Sequence, residues 1–134
     1  LAASMIICRK FIRGMIKNRW GRIVNISSVV AAIGNPGQSN YVAAKGALNG
    51  LTKSMALEVA TRGVTVNCIS PGFIDTAMTA KLTDDQKSKI TERIPIGRMG
   101  TGDDVSALVL FLVTNEAGYI TGQNIHVNGG LFLN

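Results

Sequence analysis

Residues 28–45 read SVVAAIGNPGQSNYVAAK and place three polar side chains at fixed intervals. Ser28 stands thirteen residues before Tyr41, and Lys45 stands four residues after it. Residues four apart share one face of a helix, so the phenol and the ammonium can point at the same spot. A lysine ammonium beside a phenol favours the phenolate, which suits a tyrosine that exchanges a proton near neutral pH. Ser28 can hydrogen-bond the same reacting oxygen.

Helical and strand patterns alternate on both sides of this stretch. Helices are predicted over residues 1–18, 40–61, 83–93 and 101–113, and buried-type strands over residues 22–27, 64–69 and 124–128. Thr83 begins a capping box, and Thr101 caps a helix with acidic residues in its first turn. This alternation, with short joints, predicts βαβ units in a parallel sheet. Ser28 then lies at the carboxyl end of a strand, where ligands bind in open parallel sheets.

The joints around the central stretch carry start and stop signals. We expect Gly21 to break the first helix and residues 31–39 to form a loop. Ser39 or Asn40 can cap the helix that follows, and Gly63 is a natural terminator for it. Short joints of this kind keep consecutive elements adjacent in space.

Three further features carry expectations about packing. Gly46 and Gly50 lie inside a predicted helix, where each costs up to about 1 kcal/mol relative to alanine, so we expect close packing to compensate. The polar segment at residues 73–94 fits a surface lid and an ordinary connection equally well. The apolar tail at residues 131–133 suggests burial in a core or in a subunit contact.

Composition bounds the class of protein. The chain has 134 residues, the size of one domain, and its 46% hydrophobic and 16% charged residues fit a packed α/β core rather than disorder. No apolar run reaches the roughly 18–20 residues of a membrane-spanning helix, and no signal-peptide pattern opens the chain. Cys8 and Cys68 have neither metal nor disulfide spacing. We therefore expect buried thiols in a reducing, cytoplasmic setting and no bound metal.

The net charge of +6 is concentrated near the start of the chain, between Arg9 and Arg22. Such a run is usually a solvated helix face, and the alternative is a docking surface for a partner. Only Phe11 and Trp20 lie among these charges, and no nucleic-acid-binding motif is recognised, so a nucleic-acid partner is not expected.

Three segments together resemble the short-chain dehydrogenase/reductase family. They are the Ser28, Tyr41 and Lys45 pattern, NCISPGFIDT at residues 67–76, and HVNGG at residues 126–130. The segment GNPGQSNYVAAKG at residues 34–46 most resembles the bacterial 3-oxoacyl-[acyl-carrier-protein] reductases. The resemblance implies a single domain at residues 1–134 with a Rossmann-like, doubly wound parallel sheet, represented by about three strands and four to five helices.

The resemblance also implies that the chain corresponds to the C-terminal half of such an enzyme. The family's Gly-rich TGxxxGxG turn, which binds the cofactor pyrophosphate, is not in the sequence. The family's catalytic asparagine would stand immediately before Leu1. We therefore expect this chain alone to be inactive.

The family mechanism assigns roles to the three polar residues. A nicotinamide cofactor gives its hydride to the β-carbonyl carbon of an acyl chain. The resemblance implies that Tyr41 donates the proton, that Lys45 assists Tyr41 and binds the nicotinamide ribose, and that Ser28 orients and polarises the carbonyl. The spacing favours Ser28 over Ser27, which would face the other side of the strand.

The resemblance assigns a second group of residues to the cofactor. Pro71, Gly72, Ile74 and Thr76 resemble the loop beside the nicotinamide, where the isoleucine backbone meets the carboxamide and the threonine hydroxyl assists. The alternative is an ordinary turn that ends a strand. NADP(H) is the cofactor that the subgroup implies, and the lone His126 is expected to be structural.

The expected partners follow from the same resemblance. Acyl carrier protein would deliver the 3-oxoacyl chain, and we hypothesise that Arg19 and Arg62 help dock this acidic protein. A homotetramer is expected through the helices at 1–18 and 40–61 and the C-terminal strand and tail. Two alternatives stay open, namely another short-chain alcohol or ketone dehydrogenase, and a truncated, inactive chain that only assembles or binds.

Overall fold

A computed structural model describes residues 1–77 and 79–133 as an α/β structure with a three-stranded sheet. The helices are α1 (Ala2–Asn18), α2 (Val30–Ile33), α3 (Ser39–Val59), α4 (Asp84–Glu92) and α5 (Gly102–Leu112), and the strands are β1 (Gly21–Ile26), β2 (Val64–Pro71) and β3 (Asn124–Val127). Short 3₁₀ turns lie at Ala60–Arg62 and Thr79–Lys81.

The sheet is parallel, with β2 between β1 and β3. In the register, Ile69 on β2 lies opposite Ile26 on β1 and opposite Ile125 on β3. Every residue of β2 except its last is buried, as expected for a strand with neighbours on both edges and helices on both faces. The parallel sheet predicted from the sequence is confirmed.

Two apolar clusters cover opposite faces of this sheet. On one face, Met55 and Val59 of α3 pack with Val64 and Val66 of β2, and α1 adds Cys8. On the other face, Ile69 packs with Leu112 at the end of α5 and with other residues of that helix. Alternate residues of a strand point to opposite faces, so β2 supplies both clusters. Helices on both faces confirm the doubly wound, Rossmann-like class.

Both cysteines are free and buried, as predicted. Burial raises the pKa of the Cys8 thiol and of the Cys68 thiol, which keeps both groups in the neutral form. In the described residues, no three histidine, cysteine or acidic side chains gather as metal ligands would. No helix in that part of the chain is both long and apolar enough to cross a membrane.

Several boundaries differ from the predicted ones, and local geometry explains why. The first helix ends at Asn18 as predicted, but the residue that terminates it is Arg19, in the left-handed conformation at φ 52°, and not Gly21. Residues 31–39 are not all loop, because residues 30–33 form α2. The N-cap of α3 is Gln38, without a side-chain hydrogen bond, so neither Ser39 nor Asn40 is the cap.

Other boundary signals behave as predicted. Gly63 ends the helical segment in the left-handed conformation, and a side chain there would overlap the carbonyl oxygen of Arg19. Thr83 begins a capping box with Gln86, and Thr101 caps α5 in a second box with Asp104. Side-chain caps of this kind satisfy the free N–H groups of the first helical turn.

The close packing expected at Gly46 and Gly50 is not made by other residues in the described part of this chain. A Cβ atom built at either position meets no other atom within 4 Å. The apolar tail is only partly covered, since Leu131 and Phe132 are half-buried and Leu133 is 82% exposed. Both regions are therefore open surfaces in this chain.

Candidate active site

Lys45 is attached to the end of β1 at both its side chain and its backbone. Its Nζ donates a hydrogen bond to the carbonyl oxygen of Ile26 at 2.8 Å. Its own carbonyl oxygen accepts a hydrogen bond from Ser27 Oγ at 2.8 Å. Because these two bonds join α3 to the last residues of the strand, the ammonium is held at the carboxyl end of the sheet.

Tyr41 lies beside Lys45 on the same face of α3. The Lys45 Nζ is 5.7 Å from the centroid of the Tyr41 ring, so the helical spacing brings the two side chains together. Tyr41 is 43% exposed, which leaves the phenol open to a molecule that approaches from solvent. An ammonium within about 6 Å of an aromatic ring is also attracted to its face.

Ser28 lies just beyond β1, where the chain keeps pairing with β2. The N–H of Ser27 donates to the carbonyl of Ile69 at 2.7 Å, and the N–H of Val29 donates to the carbonyl of Pro71 at 2.8 Å. The Ser28 hydroxyl is half-buried and accepts from the N–H of Val30 at 3.4 Å. Ser28 is therefore next to the carboxyl end of β2, where residues 71–76 begin.

We call Ser28, Tyr41 and Lys45 the helix side of the site, and residues 71–76 the loop side.

The loop side is held by backbone hydrogen bonds to distant segments. Gly72 donates to the carbonyl of Val127 on β3 at 2.9 Å. Ile74 forms a parallel bridge with Gly100, in which Gly100 donates to Phe73 at 2.9 Å and Asp75 donates to Gly100 at 2.8 Å. In such a bridge the N–H and C=O of the central residue point away from the partner. The N–H of Ile74 is therefore directed away from Gly100.

Thr76 sits at the exposed end of the loop side. Its N–H donates to Thr79 Oγ1 at 2.7 Å, and the Thr79 hydroxyl donates back to the carbonyl of Thr76 at 2.9 Å. The local turn therefore fixes the backbone of Thr76, while its side chain stays at the exposed surface.

An ion pair supports the segment that contacts the loop side. Arg98 binds the Asp104 carboxylate with two nitrogens, at 2.7 and 3.0 Å. The same carboxylate accepts from the Thr101 N–H at 2.8 Å. The Arg98 guanidinium and the Thr101 N–H hold the pKa of Asp104 well below its usual range. Gly100, the partner of Ile74, lies between these residues in the chain.

Two supporting residues were missed by sequence reasoning. The capping pattern at Thr101 pointed to Asp104, but no sequence signal identified Arg98 as its partner, because a loop conformation brings the two together. Ser27 was expected to face away from the site, yet its hydroxyl contacts the backbone of α3 at Lys45. Asn25, two residues earlier, also bonds to α3 through Thr52, so the alternation of the strand gives the direction of Ser27, but it does not show that Lys45 lies opposite.

His126 lies on β3 and lines a cavity of about 330 Å³ together with Ile74, Asn128 and the Arg98–Asp104 pair. Ser28, Tyr41 and Lys45 are not among the residues that line this cavity. The Nδ1 of His126 is buried and has no hydrogen-bond partner within residues 1–77 and 79–133. Burial lowers the pKa of this imidazole, and its ring packs against that of Phe132 at a centroid distance of 4.9 Å.

Arg19 and Arg62 lie at the amino ends of the strands, whereas Ser28 lies at the carboxyl end of β1. Each precedes the first residues of a strand, Arg19 before β1 and Arg62 before β2. The Arg19 guanidinium donates to the carbonyl of Thr61 at 3.2 Å. A six-residue strand is roughly 20 Å long, so docking at these arginines requires a substrate arm that spans that length to reach Tyr41.

Comparison with known proteins places this geometry in a family context. A family model described as Enoyl-(Acyl carrier protein) reductase matches residues 1–132. The 3-oxoacyl-[acyl-carrier-protein] reductase FabG of Rickettsia conorii is 53% identical over 133 residues, which are 99% of this chain and 55% of the relative.

Two further relatives match to a similar degree. The protein of the same name from Haemophilus influenzae is 54% identical over 127 residues, which are 95% of this chain and 52% of the relative. Nodulation protein G of Rhizobium meliloti is 53% identical over 131 residues, which are 98% of this chain and 54% of the relative. The chain thus spans about half the length of the curated relatives it matches.

Proposed function

The chain belongs to the short-chain dehydrogenase/reductase family, and we propose that it serves the reduction of a 3-oxoacyl-[acyl-carrier-protein] to the 3-hydroxyacyl form, with hydride from NADPH, in fatty acid biosynthesis. The names of relatives at 53% and 54% identity support this substrate class. The observation that carries the proposal is the Lys45 ammonium 5.7 Å from the Tyr41 ring at the carboxyl end of the sheet.

The proposed mechanism divides the work among the three residues of the helix side. NADPH, when bound, supplies the hydride. Tyr41 gives its phenolic proton to the oxygen of the carbonyl as negative charge develops there. Lys45 stabilises the phenolate left behind, since its ammonium lies beside the ring. Ser28 donates a hydrogen bond to the same oxygen, which polarises the carbonyl and orients it toward Tyr41.

The donors of the site fit the nicotinamide end of such a cofactor. An ammonium has three N–H donors, and Lys45 uses one of them on Ile26. The remaining donors, with the exposed Tyr41 hydroxyl, suit the hydroxyl groups of a ribose. The N–H of Ile74 suits the oxygen of a carboxamide. We assign the nicotinamide side to Tyr41 and Lys45 and to four residues of the loop side, namely Pro71, Gly72, Ile74 and Thr76.

Assembly is the second part of the proposal. An apolar groove of about 540 Å³ lies between α1 and α3, lined by Met5, Ile12, Leu51 and Met55 among others. Phe11 on α1 is also exposed. An exposed apolar surface of this kind marks a protein contact, so we propose that α1 and α3 contribute to a homotetramer. Size-exclusion chromatography with light scattering gives the mass of the assembly directly.

Enoyl reduction is the second candidate reaction, because the matching family model carries that description. The two reactions differ in the bond that accepts the hydride, a C=O bond in one and a C=C bond in the other. Parallel assays with carrier-linked 3-oxoacyl and 2-enoyl substrates distinguish them. Faster turnover of the enoyl substrate would reverse our assignment.

The decisive experiment measures nucleotide binding and reduction in two forms of the protein. The first is this chain alone, which we expect to bind NADPH weakly and to show no reductase activity. The second is a chimera that joins this chain to the part of the Rickettsia conorii relative outside the match. We expect the chimera to bind NADPH more tightly than NADH and to reduce the carrier-linked 3-oxoacyl substrate.

Tyr41→Phe tests the assigned proton donor within the chimera. Loss of a general acid lowers the rate by about 10²–10⁴-fold, and NADPH binding should weaken far less, because only one hydroxyl assigned to the ribose is removed. Tyr119→Phe is the matched control, because Tyr119 is fully exposed and has no assigned role. Equal activity of both variants would rule out Tyr41 as the proton donor.

A further inference from the structure

The part of α3 that carries the helix side extends beyond the buried core. Tyr41 is exposed and Lys45 is half-buried, whereas the buried residues of α3 begin only at Leu48. The helix starts at Gln38 without a side-chain cap. Apolar packing therefore fixes the middle and end of α3 but not its first turns, where the proposed chemistry takes place.

Ser27 makes the first buried contact of this helix with the sheet. Its side chain is buried, and its N–H donates to the carbonyl of Ile69 on β2, the central strand. Its Oγ donates to the carbonyl of Lys45. That carbonyl also belongs to the helical ladder of α3, and a carbonyl oxygen has two lone pairs and can accept both bonds.

The neighbouring residue of β1 holds the other end of Lys45. The carbonyl of Ile26 accepts from Lys45 Nζ at 2.8 Å. Residues 26 and 27 therefore determine together where the Lys45 backbone lies and where its ammonium points. If the Ser27 bond is removed, the backbone of Lys45 can move away from β1, and the Nζ bond to Ile26 lengthens with it.

We propose that Ser27 is a positioning residue for Lys45. This inference rests on the proposed function of Lys45 and extends it to a residue that touches neither substrate nor cofactor. By attaching the α3 backbone to the end of β1, Ser27 keeps the Lys45 ammonium within reach of the Ile26 carbonyl. The hydroxyl at position 27 thus has a role distinct from that of the hydroxyl at position 28.

Ser27→Ala in the 134-residue chain tests the positional claim without any need for activity. The readout is the Lys45 ammonium signal in a proton–nitrogen NMR spectrum of lysine amino groups, identified by its loss in Lys45→Arg. An ammonium hydrogen-bonded to a fixed carbonyl is protected from exchange with water, whereas a mobile one is not. We expect Ser27→Ala to abolish the Lys45 signal.

Ser70→Ala is the matched control. Ser70 is also a buried strand serine with one side-chain hydrogen bond, from its Oγ to Asn124 Oδ1 at 2.8 Å, and it does not contact Lys45. We expect this variant to keep the Lys45 signal even if its melting temperature falls as much as that of Ser27→Ala. A retained signal in Ser27→Ala, or its loss in both variants, would overturn the proposal.

A kinetic arm separates this inference from the proposed function. In an active chimera, Ser27→Ala should lower kcat about tenfold and leave KM for the carrier-linked substrate unchanged, as expected for loss of one hydrogen bond that orients a catalytic group. An unchanged kcat despite a lost Lys45 signal would overturn the positioning role. If the chimera has no reductase activity but the NMR result holds, the proposed function fails and the structural role of Ser27 stands.

Discussion

The two sides of the candidate site are held by different kinds of interaction. On the helix side, Lys45 is fixed by hydrogen bonds to residues 26 and 27, which lie at and just after the carboxyl end of β1. On the loop side, Ile74 is paired with Gly100, which lies between two members of an exposed ion pair, Arg98 and Asp104. One side is attached to the sheet by bonds to neutral groups of the strand, and the other depends in part on surface charge.

This difference predicts different responses to solution conditions. Salt screens interactions between exposed charges, and exposed ion pairs contribute little to stability on average. The two hydrogen bonds of Lys45 each have a neutral group of residue 26 or 27 as partner, so salt does not screen them as it screens an ion pair. The side assigned to proton transfer should therefore keep its geometry over a wide range of pH and ionic strength. The side assigned to the nicotinamide should be the one that changes.

The largest effect is expected at Ile69, which lies beneath both sides. It is fully buried on β2, and its carbonyl accepts the Ser27 N–H. Ile69→Ala should lower the free energy of unfolding by about 2–5 kcal/mol, because it removes buried methyl groups and leaves a cavity. Urea unfolding measures this loss. Leu110→Ala is the control, at a position 67% exposed on α5, and it should change stability by less than about 0.5 kcal/mol. Similar losses in the two variants would show that the two sides share no common core.

Two glycine-to-alanine substitutions, one on the loop side and one in α3, should change the stability in opposite directions. A Cβ atom at Gly72 would lie 2.8 Å from Asn128 Cα, so Gly72→Ala forces the backbone apart and should cost about 1–3 kcal/mol. Gly46 lies in α3 with no atom within 4 Å of such a Cβ, so Gly46→Ala should gain up to about 1 kcal/mol. Thermal unfolding of both variants measures the contrast. Destabilisation by Gly46→Ala would mean that another chain packs closely on α3 at this position, outside the apolar groove between α1 and α3.

Sequence patterns predicted the elements of the fold better than their ends. The β-branched runs at residues 22–27 and 64–69 became β1 and β2, because residues of this type favour strands. The end of α1 at Asn18 was predicted, but the residue that terminates it was not, because Arg19, a non-glycine residue, adopts the left-handed conformation there. That conformation is uncommon outside glycine, so no sequence rule would have selected it.

In the candidate site, too, some features were predictable from local sequence and others were not. Helical spacing predicted that Tyr41 and Lys45 would meet, since both lie on one helix. The supporting contacts of Ser27 and Arg98 depend on where a strand ends and how a loop folds. Tertiary packing determines those features, and local sequence carries little information about them.

A smaller effect is expected from the ion pair on the loop side. The pKa of Asp104 in the folded chain lies below its ordinary value of 3.8, chiefly because of Arg98. The folded state therefore binds fewer protons than the unfolded state, and the pair's contribution is fully present above about pH 4 and is lost as the pH falls below it. Asp104→Asn should remove this part of the acid dependence of stability and reduce the effect of salt.

The measurement for Asp104 is urea unfolding as a function of pH and salt, with Asp85→Asn as the control. Asp85 pairs with Lys89 on α4 at 2.7 Å, so it is also an exposed ion-pair carboxylate, but it lies away from the loop side. If Asp104→Asn and Asp85→Asn change the salt dependence of unfolding equally, the Arg98–Asp104 pair has no specific role in holding the loop side.

The smallest effect is expected at His126, which faces the same cavity as the ion pair. Burial lowers its pKa below the ordinary value of 6.5 in the folded chain, so the folded state binds the proton more weakly than the unfolded state does. The contribution of the neutral His126 side chain to the stability of the fold is complete above about pH 6.5, and it declines as the pH falls through the folded pKa. Because His126 is the only histidine, a single imidazole NMR signal reports its titration, and His126→Gln should flatten the stability profile below about pH 6.5. The His126 contribution begins to fall at a higher pH than that of Asp104, so the two contributions can be resolved in one experiment. A titration midpoint at or above 6.5 would mean that the imidazole is open to water or paired with a carboxylate, and the neutral, buried character assigned to β3 beside the loop side would be wrong.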